Sequence, residues 1–384
     1  MLKIQILMKH IILVGIGLQI VNCLLAQENV SHPQTPVPPF NYNLDSVEYD
    51  NADKTVHLGA TFTYPKTKGP YTVALLITGS GLQDRDETIL GHKPFAVIAD
   101  YLSKNGIAVL RVDDRNMGKS KGEVKNATSD DFSNDVLASI QYLLSRNDVN
   151  KKKIGLIGHS EGGFIAPLVY TKWPHLAFII SLAGTGVSGD EILLRQQTDP
   201  VKIALGDVNY KAYYPLVEKT LSAIHDDHEW SDSLILDKVK LIYADWKNNQ
   251  PDSVLKALHA TDVSAEMYAN VQIKRELIPW LRYFIATDPA EFWSKVECPV
   301  LALDGQKDIQ VYPDQNINAI RASLQKAGNK NFTTKIFPGL NHLFQHCVKC
   351  TVSEYAALSE TIAPEVLDTM LKWLQTTILH SSEQ

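Results

Sequence analysis

The stretch Lys153–Gly158 reads as a strand and runs straight into Gly158-His159-Ser160-Glu161-Gly162-Gly163, which opens a helix. A strand, the pattern G-x-S-x-G and a helix in immediate succession describe a nucleophile elbow. The glycines are required because the turn is sharp and side chains there would strike neighbouring backbone. The turn lifts the serine hydroxyl above the sheet, and the helix N-terminus behind it favours developing negative charge. A chain built around such an elbow needs a buried strand on one side of it and a covering helix on the other.

The rest of the sequence supplies both, repeatedly. Short runs rich in Val, Ile and Leu recur at Thr72–Ile77, Ile107–Val112, Ile154–Ile157, Ala177–Leu182, Val300–Leu303 and Thr334–Phe337. Strands buried on both faces by crossover helices have this composition. Helical stretches separate them, at Pro94–Lys104, Asp131–Ser145, Gly162–Tyr170, Pro313–Ala327 and Ala363–Leu374. In the second of these, Val136, Ile140 and Leu143 share one face. Ahead of the series, Ser46–Tyr49 and Thr55–Tyr64 flank Asp50-Asn51-Ala52-Asp53 and predict an antiparallel edge hairpin. The fold class expected is α/β, a mostly parallel sheet flanked by helices. From Ser188 to Pro289 the alternation stops. Only amphipathic stretches such as Tyr213–Ile224 and Val254–Leu258 remain, with Trp280, Tyr283 and Phe284 clustered near the end. So long a segment is no loop. It predicts a helical cap inserted at 188–289 over the carboxyl edge of the sheet, in a core formed by 41–187 and 290–380.

A serine hydroxyl is a poor nucleophile until a base takes its proton, so an acid and a histidine are expected downstream, in that order. Val300–Leu303 leads into Asp304-Gly305-Gln306-Lys307-Asp308, and Thr334–Phe337 leads into Pro338-Gly339-Leu340-Asn341-His342. His342 lies just past a strand, where it could reach the serine. Asp308, in the loop, is the preferred acid over Asp304, which still belongs to the strand end. Lys151-Lys152-Lys153 predicts a solvated turn. Asp84, Arg85, Asp86 and Arg115 fit ion-paired loop braces at least as well as substrate contacts.

With these residues in place the chain resembles an α/β-hydrolase of the serine esterase type. It is similar to a bacterial subgroup with the motifs G-S-G-x-Q-D-R-D, G-H-S-E-G-G and G-x-N-H, which here read Gly79–Asp86, Gly158–Gly163 and Gly339–His342. The likeness extends from about Asn43 to Leu374. Two positions depart from it: Leu82 stands where proline is common, and Asp113-Asp114-Arg115-Asn116-Met117-Gly118 replaces the usual D-D-R-G-x-G. The resemblance implies an oxyanion hole made by the backbone N–H of Glu161 and one from the first loop, at Ser80 or Gly81. It implies a serine hydrolase that cleaves carboxylic esters through an acyl-enzyme, with Ser160 as nucleophile, His342 as proton shuttle and Asp308 orienting it. Trp280, Tyr283 and Phe284 would line an apolar acyl or aromatic pocket, although a packed cap core explains the rings equally well. The rival readings are a peptidase or amidase using the same triad, or a catalytically silent binding protein of this fold. No metal or organic cofactor is implied. The expected partner is a small-molecule ester.

The N-terminus reads separately. Lys3 and Lys9 precede an apolar run from Ile11 to Leu25 that ends at Ala26-Gln27. Residues 1–26 thus predict a secretory signal peptide, against the alternative of a retained anchor helix. The mature protein would then be periplasmic or secreted, with no stable membrane span. Cleavage after Ala26 would remove two lysines and no acid, taking the formal charge from −6 to −8. An acidic surplus disfavours nucleic acid as a partner. Gln27–Pro39, within a linker at 27–40, predicts disordered or polyproline II chain. Of the four cysteines, Cys298 predicts a buried apolar residue. Cys347 and Cys350 form a lone CxxC, too little for zinc; a local disulfide and two free thiols both fit.

Overall fold

The computed structural model describes residues 30–379. The proposed signal peptide lies outside the described residues. Two compact units emerge, one formed by 188–288 and the other by 30–187 together with 289–379.

The larger unit is built on an eight-stranded sheet: β1 (Asn43–Asp50), β2 (His57–Tyr64), β3 (Tyr71–Ile77), β4 (Ala108–Val112), β5 (Val149–His159), β6 (Ile179–Leu182), β7 (Val300–Gly305) and β8 (Phe332–Phe337). Their spatial order is β1-β2-β4-β3-β5-β6-β7-β8. β1 and β2 pair antiparallel from Asn43↔Tyr64 to Asp50↔His57, and β2 is antiparallel to β4. All other neighbours are parallel. This is the mostly parallel, helix-flanked sheet that the alternation predicts.

Burial follows from position in that order. The central strands are covered on both faces, which is why β3 and β7 are buried throughout while edge strand β1 alternates between half-buried and exposed. On one face Phe95, Ile98 and Leu102 of helix Pro94–Lys104 and Val366, Met370 and Leu374 of helix Pro364–Leu374 pack on Val109, Ile157, Ile180 and Leu301. Helix Glu161–Lys172 is buried from Glu161 to Tyr170, so it carries no polar face. In β5, Gly155 lets the Phe178 ring lie against the strand; a Cβ there would fall 2.4 Å from that ring.

Two expectations are corrected. Lys151–Lys153 belong to β5, not to a turn, because pairing with β3 resumes at Tyr71↔Val149 beyond an irregularity; Lys153 Nζ donates to the Ile378 carbonyl. The described part of the linker, residues 30–40, is anchored to the core. The Gln34 amide donates to the Ile362 carbonyl and accepts from Thr361 and Ile362 N–H, while His32 packs on His92. The Gln34 bonds join residues over 300 positions apart, which no local composition rule detects.

The 188–288 unit contains helices and no strand. Helix Gly189–Asp226 bends at Gly206, where the backbone leaves helical geometry (φ 79°, ψ 175°). Its second half packs Tyr213, Leu216, Val217, Leu221 and Ile224 against Ile235, Val239, Tyr243 and Trp246 of helix Asp232–Asn248. No described helix is long and apolar enough to cross a membrane.

Phe178 is fully buried against both Gly155 and Trp373. Phe178→Ala should therefore destabilise the larger unit by about 3–5 kcal/mol, read as a lowered midpoint in urea unfolding.

Candidate active site

Because β3, β5, β7 and β8 are parallel, the residues following each of them lie along one edge of the sheet. Those residues are Gly79–Leu82, Ser160, Asp308 and His342. The convergence of the predicted groups is therefore a consequence of topology.

At the end of β5 the chain turns through Ser160 with φ 52° and ψ −116°. A non-glycine residue in such a region costs of order 1–3 kcal/mol and persists only where its surroundings enforce it. Ser160 N–H donates to the Leu182 carbonyl, and Gly163 N–H donates to the Ser160 carbonyl. A Cβ on Gly158 would sit 2.0 Å from the Gly162 carbonyl oxygen, and one on Gly162 would sit 2.2 Å from that of Ile77. Those two approaches leave room for glycine alone.

The loop after β3 passes directly beside this turn, for a Cβ on Gly79 would lie 3.2 Å from Ser160 Cβ. Gly79 N–H is committed to Glu87 Oε1 at 2.7 Å, which leaves Ser80 and Gly81 as the loop's candidate donors to an oxyanion. Gly81, at φ 95°, faces open space. Asp114 ties down both ends of the loop: Thr78 Oγ1 donates to Oδ1 and Gln83 N–H to Oδ2, each at 2.8 Å. Burial raises the Asp114 carboxyl to about 8, against those hydrogen bonds, with the nearby Glu161 and Glu87 carboxylates adding to the rise.

The charged residues flanking this loop pair among themselves. Arg85 and Arg111 hold Asp113 and Asp86, and Arg115 meets Asp135 at 2.6 Å. Asn116, where glycine is usual, takes φ 64°, a left-handed conformation that asparagine tolerates. Leu82 is exposed.

Asp308 and His342 meet. His342 Nδ1 lies 2.6 Å from Asp308 Oδ2, with both side chains buried. The carboxylate is held by Gln310 and Val311 N–H on Oδ1, at 2.7 and 2.9 Å, which turns Oδ2 toward the imidazole. Asp304 is buried at the end of β7, and its Oδ1 accepts from Gly305 N–H. Burial and then the adjacent Asp308 charge push its carboxyl well above the usual range, toward the neutral form. The His342 loop is braced in turn. Asn341 Oδ1 accepts from Leu343 and Gln345 N–H, Cys347 N–H donates to the Gly339 carbonyl, and Cys347 and Cys350 are joined as a disulfide.

Trp280, Tyr283 and Phe284 lie on helix Pro279–Ala286 of the other unit. Trp280 and Tyr283 are half-buried, while the Phe284 ring and carbonyl pack against Gly189.

Three groups at the site escape a reading of the sequence: the buried Glu87 and His159 and the half-buried Asp114. Glu87 and His159 are 72 positions apart, and their meeting at 2.9 Å leaves no trace in local pattern. Asp114 sits among charged neighbours that look like surface.

Residues 93–236 match the family described as serine aminopeptidase, S33. Esterase EstD of Thermotoga maritima is 26% identical over 341 residues, covering 86% of this chain and 69% of that protein. Among solved structures, the Pyrococcus furiosus esterase PF2001 superposes with a TM-score of 0.50 at 14% identity, covering 92% of this chain and 99% of that one. The α/β hydrolase GrgF from Penicillium does so with a TM-score of 0.50 at 16% identity, covering 88% and 99%. These two structural likenesses speak for the fold.

Asp114 supplies a test of the site's electrostatics. Between about pH 4 and 8 the folded state keeps the Asp114 proton and the unfolded chain releases it, so stability falls as pH rises across that window. Asp114→Asn removes the charge while its oxygen can still accept from Gln83 N–H and its amide N–H can donate to Thr78 Oγ1. In urea titrations its stability relative to wild type should therefore rise from pH 5 to pH 8, by up to a few kcal/mol. A difference independent of pH would contradict this assignment.

Proposed function

We propose that this chain, an α/β-hydrolase of the serine esterase type and a carboxylic ester hydrolase, works through an acyl-enzyme formed on Ser160. The observation that carries the proposal is the buried 2.6 Å contact between His342 Nδ1 and Asp308 Oδ2, on the same sheet edge that carries the strained Ser160 turn. Asp308 fixes the tautomer of His342 so that Nε2 is free to take the Ser160 proton. The Ser160 oxygen attacks the ester carbonyl, and the carbonyl oxygen becomes an oxyanion facing the N–H of Glu161 and of Ser80 or Gly81. His342 then returns the proton to the departing alcohol, leaving the acyl group on Ser160. Water attacks by the same route, with His342 again as base, and frees the acid.

Asp308 serves as the acid because its Oδ2 is turned toward the imidazole, whereas Asp304 is kept neutral by burial. Export to the periplasm or beyond is also proposed. It rests on the character of residues 1–26 and agrees with a disulfide between Cys347 and Cys350, a bond that persists in oxidising compartments. The aromatic side chains of helix Pro279–Ala286 are proposed as substrate contacts on the strength of their chemistry alone.

The test is turnover of p-nitrophenyl esters of increasing acyl length. Ser160→Ala should lower kcat by about 10⁶-fold and Asp308→Asn by about 10⁴-fold, while Asp304→Asn, which keeps an uncharged polar group beside Asp308, should cost less than about tenfold. Equal rates for wild type and Ser160→Ala would sink the mechanism, and a reversed order of the two aspartates would move the acid to Asp304.

A further inference from the structure

We infer that Glu87 and His159 form a buried charged brace that holds the β3 loop, the Ser160 turn and the His342 loop in register, and so act as positioning residues for acyl transfer. The inference rests on the esterase reading above.

The hydrogen bonds assign the protons. His159 Nε2 lies 3.2 Å from the His342 backbone carbonyl, an oxygen that only accepts, so Nε2 carries a proton. His159 Nδ1 lies 2.9 Å from Glu87 Oε1, which also accepts from Gly79 N–H at 2.7 Å. An oxygen already receiving one N–H in this geometry acts as a carboxylate acceptor, so Nδ1 carries a proton as well. A ring protonated on both nitrogens is an imidazolium, and its counter-ion is Glu87. Both side chains are almost wholly removed from solvent. Burial opposes the charge on His159, but the Glu87 carboxylate and the His342 carbonyl outweigh it and raise the pKa above the ordinary imidazole value.

A buried ion pair is a weak source of stability, since desolvation offsets most of the attraction. What this pair supplies is connection. Through Glu87 it fixes Gly79, whose chain continues into the candidate oxyanion donors. Through the peptide bond it fixes Ser160, and through the His342 carbonyl it fixes the base, whose ring lies 4.9 Å from that of His159. Glu87 itself is held in an unusual backbone conformation, φ 52°, by a tight turn in which its N–H donates to the Asp84 carbonyl while Asp84 Oδ1 accepts from Asp86 and Thr88 N–H. The acidic loop residues thus deliver the carboxylate that the brace requires. Donors to a developing oxyanion must already be in place when charge appears, so loosening them should lower kcat and leave KM nearly unchanged.

The test uses Glu87→Gln, His159→Gln and the double variant, with active sites counted by fluorophosphonate labelling. The expected result is kcat per labelled site reduced about 10- to 100-fold in each single variant, with KM within about threefold of wild type. The double variant should be no slower than the slower single, as for residues acting as one unit. Nitrogen-15 NMR of histidine-labelled wild type at pH 7.5 should show both ring N–H protons on His159. Glu87→Gln should lose one of them. Wild-type kcat per labelled site in both single variants, with Ser160→Ala inactive, would overturn the brace and leave the esterase reading standing. Hydrolysis by Ser160→Ala at the wild-type rate would overturn the esterase reading and the brace's catalytic role with it. Should the variants fail to fold, the wild-type spectrum decides: a His159 ring lacking either proton overturns the charged pair.

Discussion

The site depends on a steric constraint between three stretches of backbone. At the end of β5, Gly158, Gly162 and the Ile77 carbonyl approach too closely for any side chain to intervene, and the chain between them has one way to turn. That turn forces Ser160 into a conformation it would otherwise avoid. The strain is local, and the cost is met by the burial of helix Glu161–Lys172 from Glu161 to Tyr170. Because the carbonyl concerned belongs to β3, the same contact seats the β3 loop beside the serine. A single close packing of strand, turn and helix therefore sets the proposed nucleophile and its proposed oxyanion donors together.

Electrostatics then sorts the acids gathered at this edge. Glu87, Glu161, Asp304 and Asp308 are buried there with Asp114 half-buried beside them, an arrangement that like charges would resist without compensation. Some are paired and the others are neutralised. Glu87 faces the His159 ring, Asp308 faces His342 and two backbone N–H groups, and Glu161 accepts from Ser129 Oγ. Asp114 and Asp304 are pushed toward the neutral form by burial and by the remaining carboxylates. Asp114 braces the β3 loop through the hydrogen bonds it accepts from Thr78 and Gln83, and Asp304 lies beside the carboxylate that meets His342 without adding a second charge to it.

Much of the fold was legible in the sequence because parallel strands buried on both faces leave a simple imprint, a short Val/Ile/Leu run at every crossing. The run at Ile154–Ile157 locates β5, although its pairing extends back to Val149, since backbone pairing at the strand's start tolerates solvent-facing lysines. Ser160, Asp308 and His342 were legible for a related reason: each follows a strand that the pattern marks. Long-range side-chain partnership was not legible. Gln34 against Ile362 and Glu87 against His159 join positions whose neighbourhoods say nothing of each other. Asp114 looks like one more charge in a polar loop, and only burial reveals that its ionised form is disfavoured.

The central claim is that Ser160 carries the acyl group during turnover. Acid quenching during hydrolysis of a p-nitrophenyl ester, followed by peptide mass spectrometry, tests it most directly. The account predicts a peptide containing Ser160 that is heavier by the acyl group, with the modification on that serine. An acyl group found on another residue, or none in an enzyme that releases p-nitrophenol in a burst, would contradict it.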